Sequence, residues 1–296
     1  MSENAILTPR PVDGTGTNTA NPDWGSTGTH LLQVAPSDLG PNNEMSGADR
    51  PGAREVSNAV SAQTSDTRNA AGASDFLWIW GQFIDHDISL TEAGAMQYAP
   101  IPVPTGDPFF DPFSTGTAEI PFFRVEQHNG TYANEITSFI DASMIYGSDA
   151  ATLAGLRAEG GKLLLTEDAL LVLDGTTLLT GDVRAAENLL LSSMHTIFTR
   201  EHNRIVDELA AADPALTDEA LFDMARAHVE AIIQAITFNE FLPVLVGEGA
   251  IDAYDGYDPT VNPGISVEFS TAVFRLGHTL LSSNLQSVGE DGTTGA

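Results

Sequence analysis

From Ser74 to Ile88 the side chains of Phe76, Ile79, Trp80, Phe83 and Ile84 recur at helical spacing, which predicts a buried helix behind a Ser74/Asp75 cap. A second apolar stripe, Leu190, Leu191, Met194, Ile197, Phe198, Ile205 and Leu209, predicts a helix that opens after Gly181-Asp182 and stops at Asp213-Pro214. A third helix is expected from about Thr217 to Leu242, before Pro243, and a last one from about Val267 to Leu281. Between the first two, KLLLTEDALLVLDGTTLLT reads as a short hairpin around Asp174-Gly175. Residues 1–73, rich in Gly, Pro, Asn, Asp, Ser and Thr, read as an irregular N-terminal wrap. In residues 95–135, Pro100, Pro102, Pro104, Pro108, Pro112 and Pro121 exclude long helices and central strands. The expected class is mainly α: a wrap over 1–73 and a helical region over 74–296, together effectively one domain.

Composition narrows the chemistry. The 296 residues, 42% of them hydrophobic, suffice for a sizeable core. Twelve Lys plus Arg against 41 Asp plus Glu give a net charge of −29, a field that repels nucleic acid and anionic lipid. With no cysteine, disulfides, Cys-ligated zinc, iron–sulfur clusters and a thiolate haem ligand are all excluded. No run of eighteen consecutive apolar residues occurs, so no membrane span is expected. MSENAILTPRPVDGTG lacks the basic-then-apolar pattern of a signal peptide.

Four segments carry candidate chemistry. In WGQFIDHDISLT, Gln82, Asp85 and His86 fall at i, i+3 and i+4 and share one helix face, while Asp87 points roughly 100° away. Burying three polar side chains among Trp and Phe is costly unless each has a partner or a ligand; a satisfied core histidine flanked by surface aspartates is the plainer alternative. In TSFIDAS, Thr137, Asp141 and Ser143 with the Phe139 carbonyl present a row of hard oxygens, and the Asp87 carboxylate would complete a calcium shell. An ordinary turn capped by Asp141 competes with that reading. Arg184 and Glu187 are placed on one face of a first helical turn, with Asp182 as its cap, facing a ligand or forming a surface ion pair. His195 and His202 are two turns apart, too far to share a metal, and read as structural. In VEFSTAVFRLGHTLL, His278 has Arg275 one turn before it and Gly277 beside it, a pattern for an axial ligand as well as for a core histidine.

In series, WGQFIDHD, TSFIDASMIYGS, GDVRAAENLLLSSMHTIFTREHNR and FRLGHTL resemble the animal haem peroxidases, of the peroxidase-cyclooxygenase superfamily, in the family's order and over nearly the whole chain. The resemblance implies the helical fold of that family around haem b, and hydrogen peroxide reduction through a ferryl intermediate. It makes His86 the distal histidine, Arg184 the distal arginine, Gln82 the residue beside the peroxide and halide site, and His278 the proximal iron ligand. Asp85 and Glu187 match carboxylates that several members esterify to haem, and Arg275 the residue that steadies a haem propionate. Asp87, Thr137, Phe139, Asp141 and Ser143 match calcium ligands. Small organic donors or halides would be oxidised, in an extracellular setting, although the sequence leaves cytoplasmic residence and oligomeric state open.

The sequence also departs from the family. Asn188 stands where some members carry a methionine that bonds to haem, so a sulfonium link is chemically impossible and iodide, bromide or thiocyanate are expected rather than chloride. The family continues past the proximal histidine with helices that supply it an asparagine partner, and those helices are absent from the 18 residues that follow His278. Two other readings stand beside the peroxidase. One is a fatty-acid dioxygenase of the same superfamily, in which a tyrosine commonly sits three residues before the proximal histidine, where this chain has Arg275. The other is a non-catalytic, calcium-stabilised extracellular module.

Overall fold

Prolines and acidic residues together decide how residues 96–125 fold. Pro104, Pro108 and Pro112 remove backbone donors, and N–H groups of the turns around them donate to two buried carboxylates. Asp107 accepts from the N–H groups of Phe109 and Phe110 and from Asn58, and forks with Arg54 at 2.6 and 3.1 Å. Asp111 accepts from Gly106, Thr115 and Gly116. Arg54 and Asn58 lie on helix α1 (Ala53–Val60), inside the stretch expected to be irregular throughout. Two antiparallel ribbons complete this unit, Met96–Tyr98 with Phe123–Val125 and Ile101–Pro102 with Glu119–Ile120, each too short to need the donors that proline lacks.

The computed structural model describes residues 10–36, 50–65, 67–91, 96–125, 127, 131–282, 285, 287–289 and 291–295. Residues 1–9, on which part of the leader reading rests, lie outside them. The chain divides into two units, Gln33–Gly72 with Thr91–Tyr132 and Met1–Leu32 with Ala73–Leu90 and Ala133–Ala296. Among the described residues it is mainly helical, with 39% helix against 8% strand.

The larger unit is built on helix α2 (Phe76–Ile88), which is buried from Trp78 onward except at Gly81 and Gln82. Its start is not capped as expected, because the Asp75 carboxylate accepts from the Trp78 indole at 3.0 Å instead. Two short helices follow, α3 (Ser143–Tyr146) and α4 (Ala150–Leu156), both missed by the periodicity because they are four and seven residues long. Helix α5 (Leu189–Ala212) starts later than the expected opening after Gly181-Asp182: residues 183–186 form a turn and Asn188 caps the helix through the Leu191 N–H. Phe198 of α5 stacks on Phe83 of α2 at 5.3 Å between centroids, which locks the two helices at the centre of the core.

Helix α6 (Asp218–Ile236) packs along α5 and is capped by Thr217, with Asp218 and Glu219 in its first turn where the helix dipole favours negative charge. It continues through a π-helical turn, Thr237–Phe241, into α7 (Leu242–Val246). Pro243, expected to end the helix, sits in the first turn of α7, where proline is tolerated. Asp218–Val246 as one run is, by length and composition, apolar enough to cross a membrane, although no eighteen consecutive residues in it are apolar. The final expected helix is broken. Ser266 caps α8 (Val267–Thr271), Ala272 leaves helical geometry at φ −129 and ψ −62, and Val273–Thr279 continues as a 3-10 segment packed against α2. The hairpin around Asp174-Gly175 is present as Leu173–Asp174 paired with Thr177–Leu178.

One close approach fixes the turn that precedes α5. A Cβ on Gly181 would lie 2.3 Å from the Gly147 nitrogen and the Ser143 oxygen, so only glycine lets this turn lie against α3. Tyr146, at the end of α3, is fully buried; its hydroxyl is 2.9 Å from His202 Nδ1, and His202 Nε2 is 3.0 Å from the Gly161 carbonyl. A carbonyl can only accept, so Nε2 donates to it and Nδ1 receives the tyrosine proton.

Burial lowers His195 and His202 each from 6.5 to about 4. Between those values the unfolded chain binds protons that the folded chain does not, so stability is complete above about pH 6.5 and declines as pH falls toward 4. Replacing His202 by Gln is expected to remove one proton's share of that dependence, at most about 1.4 kcal/mol per pH unit, in urea unfolding across this window. An unchanged slope would show that His202 does not titrate on unfolding.

Candidate functional site

The polar face of α2 meets the turn before α5. His86 is buried, with Nδ1 at 3.7 Å from Asp182 Oδ1 and Nε2 at 3.7 Å from Glu187 Oε2. Burial, and next the Arg184 cation, depress the imidazole to about 3, so the ring is neutral across the physiological range. Gln82 donates to Glu187 Oε2 at 2.7 Å and accepts from Asn188 Nδ2 at 2.9 Å. The Asn188 side chain thus caps α5 with its oxygen and holds Gln82 with its nitrogen.

Arg184 was expected in the first turn of a helix and lies in the turn before it. Its guanidinium forks with Asp182, Nε to Oδ1 at 2.9 Å and Nη2 to Oδ2 at 2.7 Å, and donates to the Ser89 carbonyl at 3.0 Å. Burial pushes the Asp182 carboxyl up, but hydrogen bonding to Arg184 and its charge more than reverse this and leave it below the usual carboxylate range. From the sequence alone Asp182 is expected only as a helix cap. An aspartate two residues from an arginine, outside the periodic stripe, was the signal available for a closer role.

On the other side of Asp85 stands Arg275, whose Nη1 donates to Asp85 Oδ2 at 2.9 Å while its Nε donates to the Ser270 carbonyl at 2.7 Å. Burial raises the Asp85 carboxyl, and the Arg275 and Arg184 cations oppose the rise. His278 lies on the same 3-10 segment as Arg275 and is exposed. Asp85 Oδ1 and His86 Nδ1 are buried without a hydrogen-bond partner among the described residues. The free Asp85 oxygen is what a polar ligand could complete, whereas His86 Nδ1 faces the enclosed Asp182 carboxylate. The donor set fits a haem edge on the His86 side; the His278 side is present in sequence order but not enclosed.

The opposite face of α2 carries Asp87. Its carboxylate accepts from the Ser143 N–H at 2.6 Å, the Ser143 hydroxyl at 2.8 Å and the Ala142 N–H at 3.1 Å. Ala142 reaches this position through left-handed geometry, φ 61, that turns the chain into α3. Asp141 accepts from the Thr137 hydroxyl at 3.0 Å and the Ser143 N–H at 3.2 Å, while its Oδ2 is buried without a partner among the described residues. Burial raises Asp87 well above its usual value, with Asp141 adding to the effect; burial, then Glu230, pushes Asp141 up to about 7. Two adjacent buried carboxylates are mutually destabilising unless protonated or bridged by a cation. Phe139 lies in the same bend, its ring 5.3 Å from the Arg10 guanidinium. No group of three or more His, Cys, Asp or Glu suited to a metal occurs among the described residues, so a cation here would rely on two carboxylates with hydroxyl and carbonyl oxygens.

The model of the animal haem peroxidase family matches residues 9–295, and the chain belongs to that family. Peroxinectin A of Dictyostelium discoideum is 29% identical over 96% of this chain. This chain spans 60% of that relative's length. The solved structure of peroxidase A from Dictyostelium discoideum superposes with a TM-score of 0.85 at 27% identity, covering 100% of this chain and 63% of that one. A fatty acid alpha-dioxygenase from Arabidopsis thaliana superposes over 98% of this chain and 51% of its own length with a TM-score of 0.77, but at 21% identity it shares the fold alone.

Removing the Arg275 side chain leaves the Asp85 carboxylate without its ion pair, in a position 8% exposed. Arg275→Ala is expected to lower unfolding stability by about 1–2 kcal/mol, below the full cost of breaking a buried pair because the guanidinium is 37% exposed. Adding Asp85→Asn should recover part of the loss in denaturant titrations. A double variant no more stable than Arg275→Ala would show that the charge on Asp85 is not the cause.

Proposed function

We propose that this chain is the haem-binding core of a peroxidase that reduces hydrogen peroxide and oxidises small organic donors or halides. The supporting observation is the neutral, buried His86 beside a forked Arg184, on the α2 face that also carries Gln82 and Asp85. Haem b, when bound, supplies the iron on which peroxide is cleaved and the store of oxidising equivalents. His86 Nε2 takes the proton of the incoming peroxide and returns it to the departing oxygen, acting first as base and then as acid. Of the five Arg184 N–H groups, four are engaged by Asp182, the Ser89 carbonyl and, at 3.5 Å, the His86 carbonyl, which leaves one on Nη1 for the negative charge that develops. Gln82, fixed by Glu187 and Asn188, sets the polarity where peroxide and halide enter.

His278 would be the residue that ligates the iron, and Arg275 would exchange Asp85 for a haem propionate. Asp85 and Glu187 would be the carboxylates that form any ester links to the haem. With Asn188 after Glu187, iodide, bromide or thiocyanate are the proposed halide-type donors, in preference to chloride. Calcium would sit between Asp87 and Asp141 with the Thr137 and Ser143 oxygens and the Phe139 carbonyl, replacing mutual repulsion by attraction to one cation and anchoring the helix that carries His86. The run Asp218–Val246 is proposed to stay within protein, since it carries a buried ion pair, Arg226 with Glu230 at 2.8 Å. The strong negative charge argues against nucleic-acid partners, and the family setting suggests an extracellular location.

Reconstitution with haem should give a Soret band and peroxide-dependent oxidation of iodide or a phenol. His86→Ala should keep the band and lose peroxide reduction by about 10²- to 10⁴-fold in stopped-flow measurements; full activity in that variant would end the assignment. Chelation of calcium should lower the thermal midpoint and broaden the Soret band, and a chelated protein with both unchanged would remove calcium from the proposal.

A further inference from the structure

Asp182 lies outside the roles assigned above, yet both chemical groups of the proposed reaction touch it. Its side chain is 1% exposed, and its two oxygens grip the Arg184 guanidinium. Oδ1 also receives the Arg184 main-chain N–H at 2.8 Å. The same oxygen faces His86 Nδ1 at 3.7 Å, too long for a hydrogen bond, because its lone pairs already serve Arg184. His86 Nδ1 has no hydrogen-bond partner among the described residues. The Gly181 backbone, pressed against α3, holds Asp182 in register with the helix that carries the histidine.

We propose that Asp182 is a positioning residue that holds the Arg184 guanidinium in place and keeps the neutral His86 ring protonated at Nδ1, so that the Nε2 lone pair stays free. This rests on the reading of His86 as the proton acceptor. A neutral imidazole carries a single N–H, and an ionised carboxylate can only accept. Facing Asp182, a hydrogen on Nδ1 is attracted, whereas a lone pair there is repelled. The competing influence is Glu187, 3.7 Å from Nε2, which would draw the hydrogen to the wrong nitrogen. Glu187 is 47% exposed and already accepts from Gln82, while Asp182 is enclosed. A charge screened by water acts roughly fourfold more weakly than one at the effective dielectric of a protein site, so Asp182 prevails. The arrangement couples the base and the cation: whatever moves Asp182 moves both.

The test uses the full 296-residue chain, labelled with nitrogen-15 at histidine, with the His86 ring signals assigned by their loss in His86→Gln. The expected result is Nδ1–H with an unprotonated Nε2. In Asp182→Asn, whose amide can donate, the population should shift toward Nε2–H. The haem-loaded variant should react with peroxide at least about tenfold more slowly while its affinity for the oxidised donor is retained, as expected for a base held in the wrong tautomer. Asp182→Glu, which keeps the charge, should restore Nδ1–H. A wild-type ring protonated at Nε2 overturns the proposal without any variant, as does an Asp182→Asn protein that keeps the wild-type tautomer and rate. Absence of a peroxide reaction in wild-type holoprotein would instead defeat the peroxidase reading and leave the tautomer result standing.

Discussion

Helix α2 buries three ionisable side chains, Asp85, His86 and Asp87, and half-buries Gln82, within a shell of Trp78, Trp80, Phe83 and Phe198. Taking such groups out of water costs several kcal/mol each unless partners replace the solvent. Much of the local architecture consists of those partners. The turn before α5 brings Asp182, Arg184 and Glu187 to His86 and Gln82; the 3-10 segment brings Arg275 to Asp85; the N-terminus of α3 brings two backbone N–H groups and a hydroxyl to Asp87. Three elements remote in sequence are fixed in place by the demands of one helix.

Satisfaction is nearly complete, and its gaps carry information. Asp85 Oδ1 and His86 Nδ1 on one face and Asp141 Oδ2 near the other are buried without partners among the described residues. Such orphans are rare in native proteins and tend to mark where something else binds. Both places coincide with positions that the family resemblance assigns to haem and to calcium. Burial pushes both Asp87 and Asp141 up, with Asp141 adding to the rise at Asp87 and Glu230 to the rise at Asp141.

Membership of the animal haem peroxidase family rests on a match from residue 9 to residue 295 and on a fold shared with a solved peroxidase. Fold likeness alone would not separate peroxide chemistry from lipid oxygenation, since a dioxygenase superposes over nearly the same length. The distinction comes from the site. A half-buried guanidinium fork beside a neutral imidazole is what the proposed peroxide chemistry rests on, and a cation, Arg275, stands where the dioxygenase reading wants a tyrosine.

Periodicity alone revealed α2, most of α5 and most of α6, because each buries an apolar stripe that repeats every three or four residues over several turns. The polar spacing on α2 was likewise readable, since Gln82, Asp85 and His86 must share a face on any helix. What the chain order could not reveal is where the helices stop and what meets them. Residues 183–186 look helical by composition but turn, because Gly181 lies against α3 and Asn188 offers the better cap. The last stripe breaks at Ala272, and Pro243 enters a helix rather than ending one. Most of all, Asp182 meets His86, and its partner Arg184 reaches the His86 carbonyl 98 positions away. Local pattern determines which surfaces seek burial; only the packed chain decides which distant groups satisfy the polar atoms that burial strands.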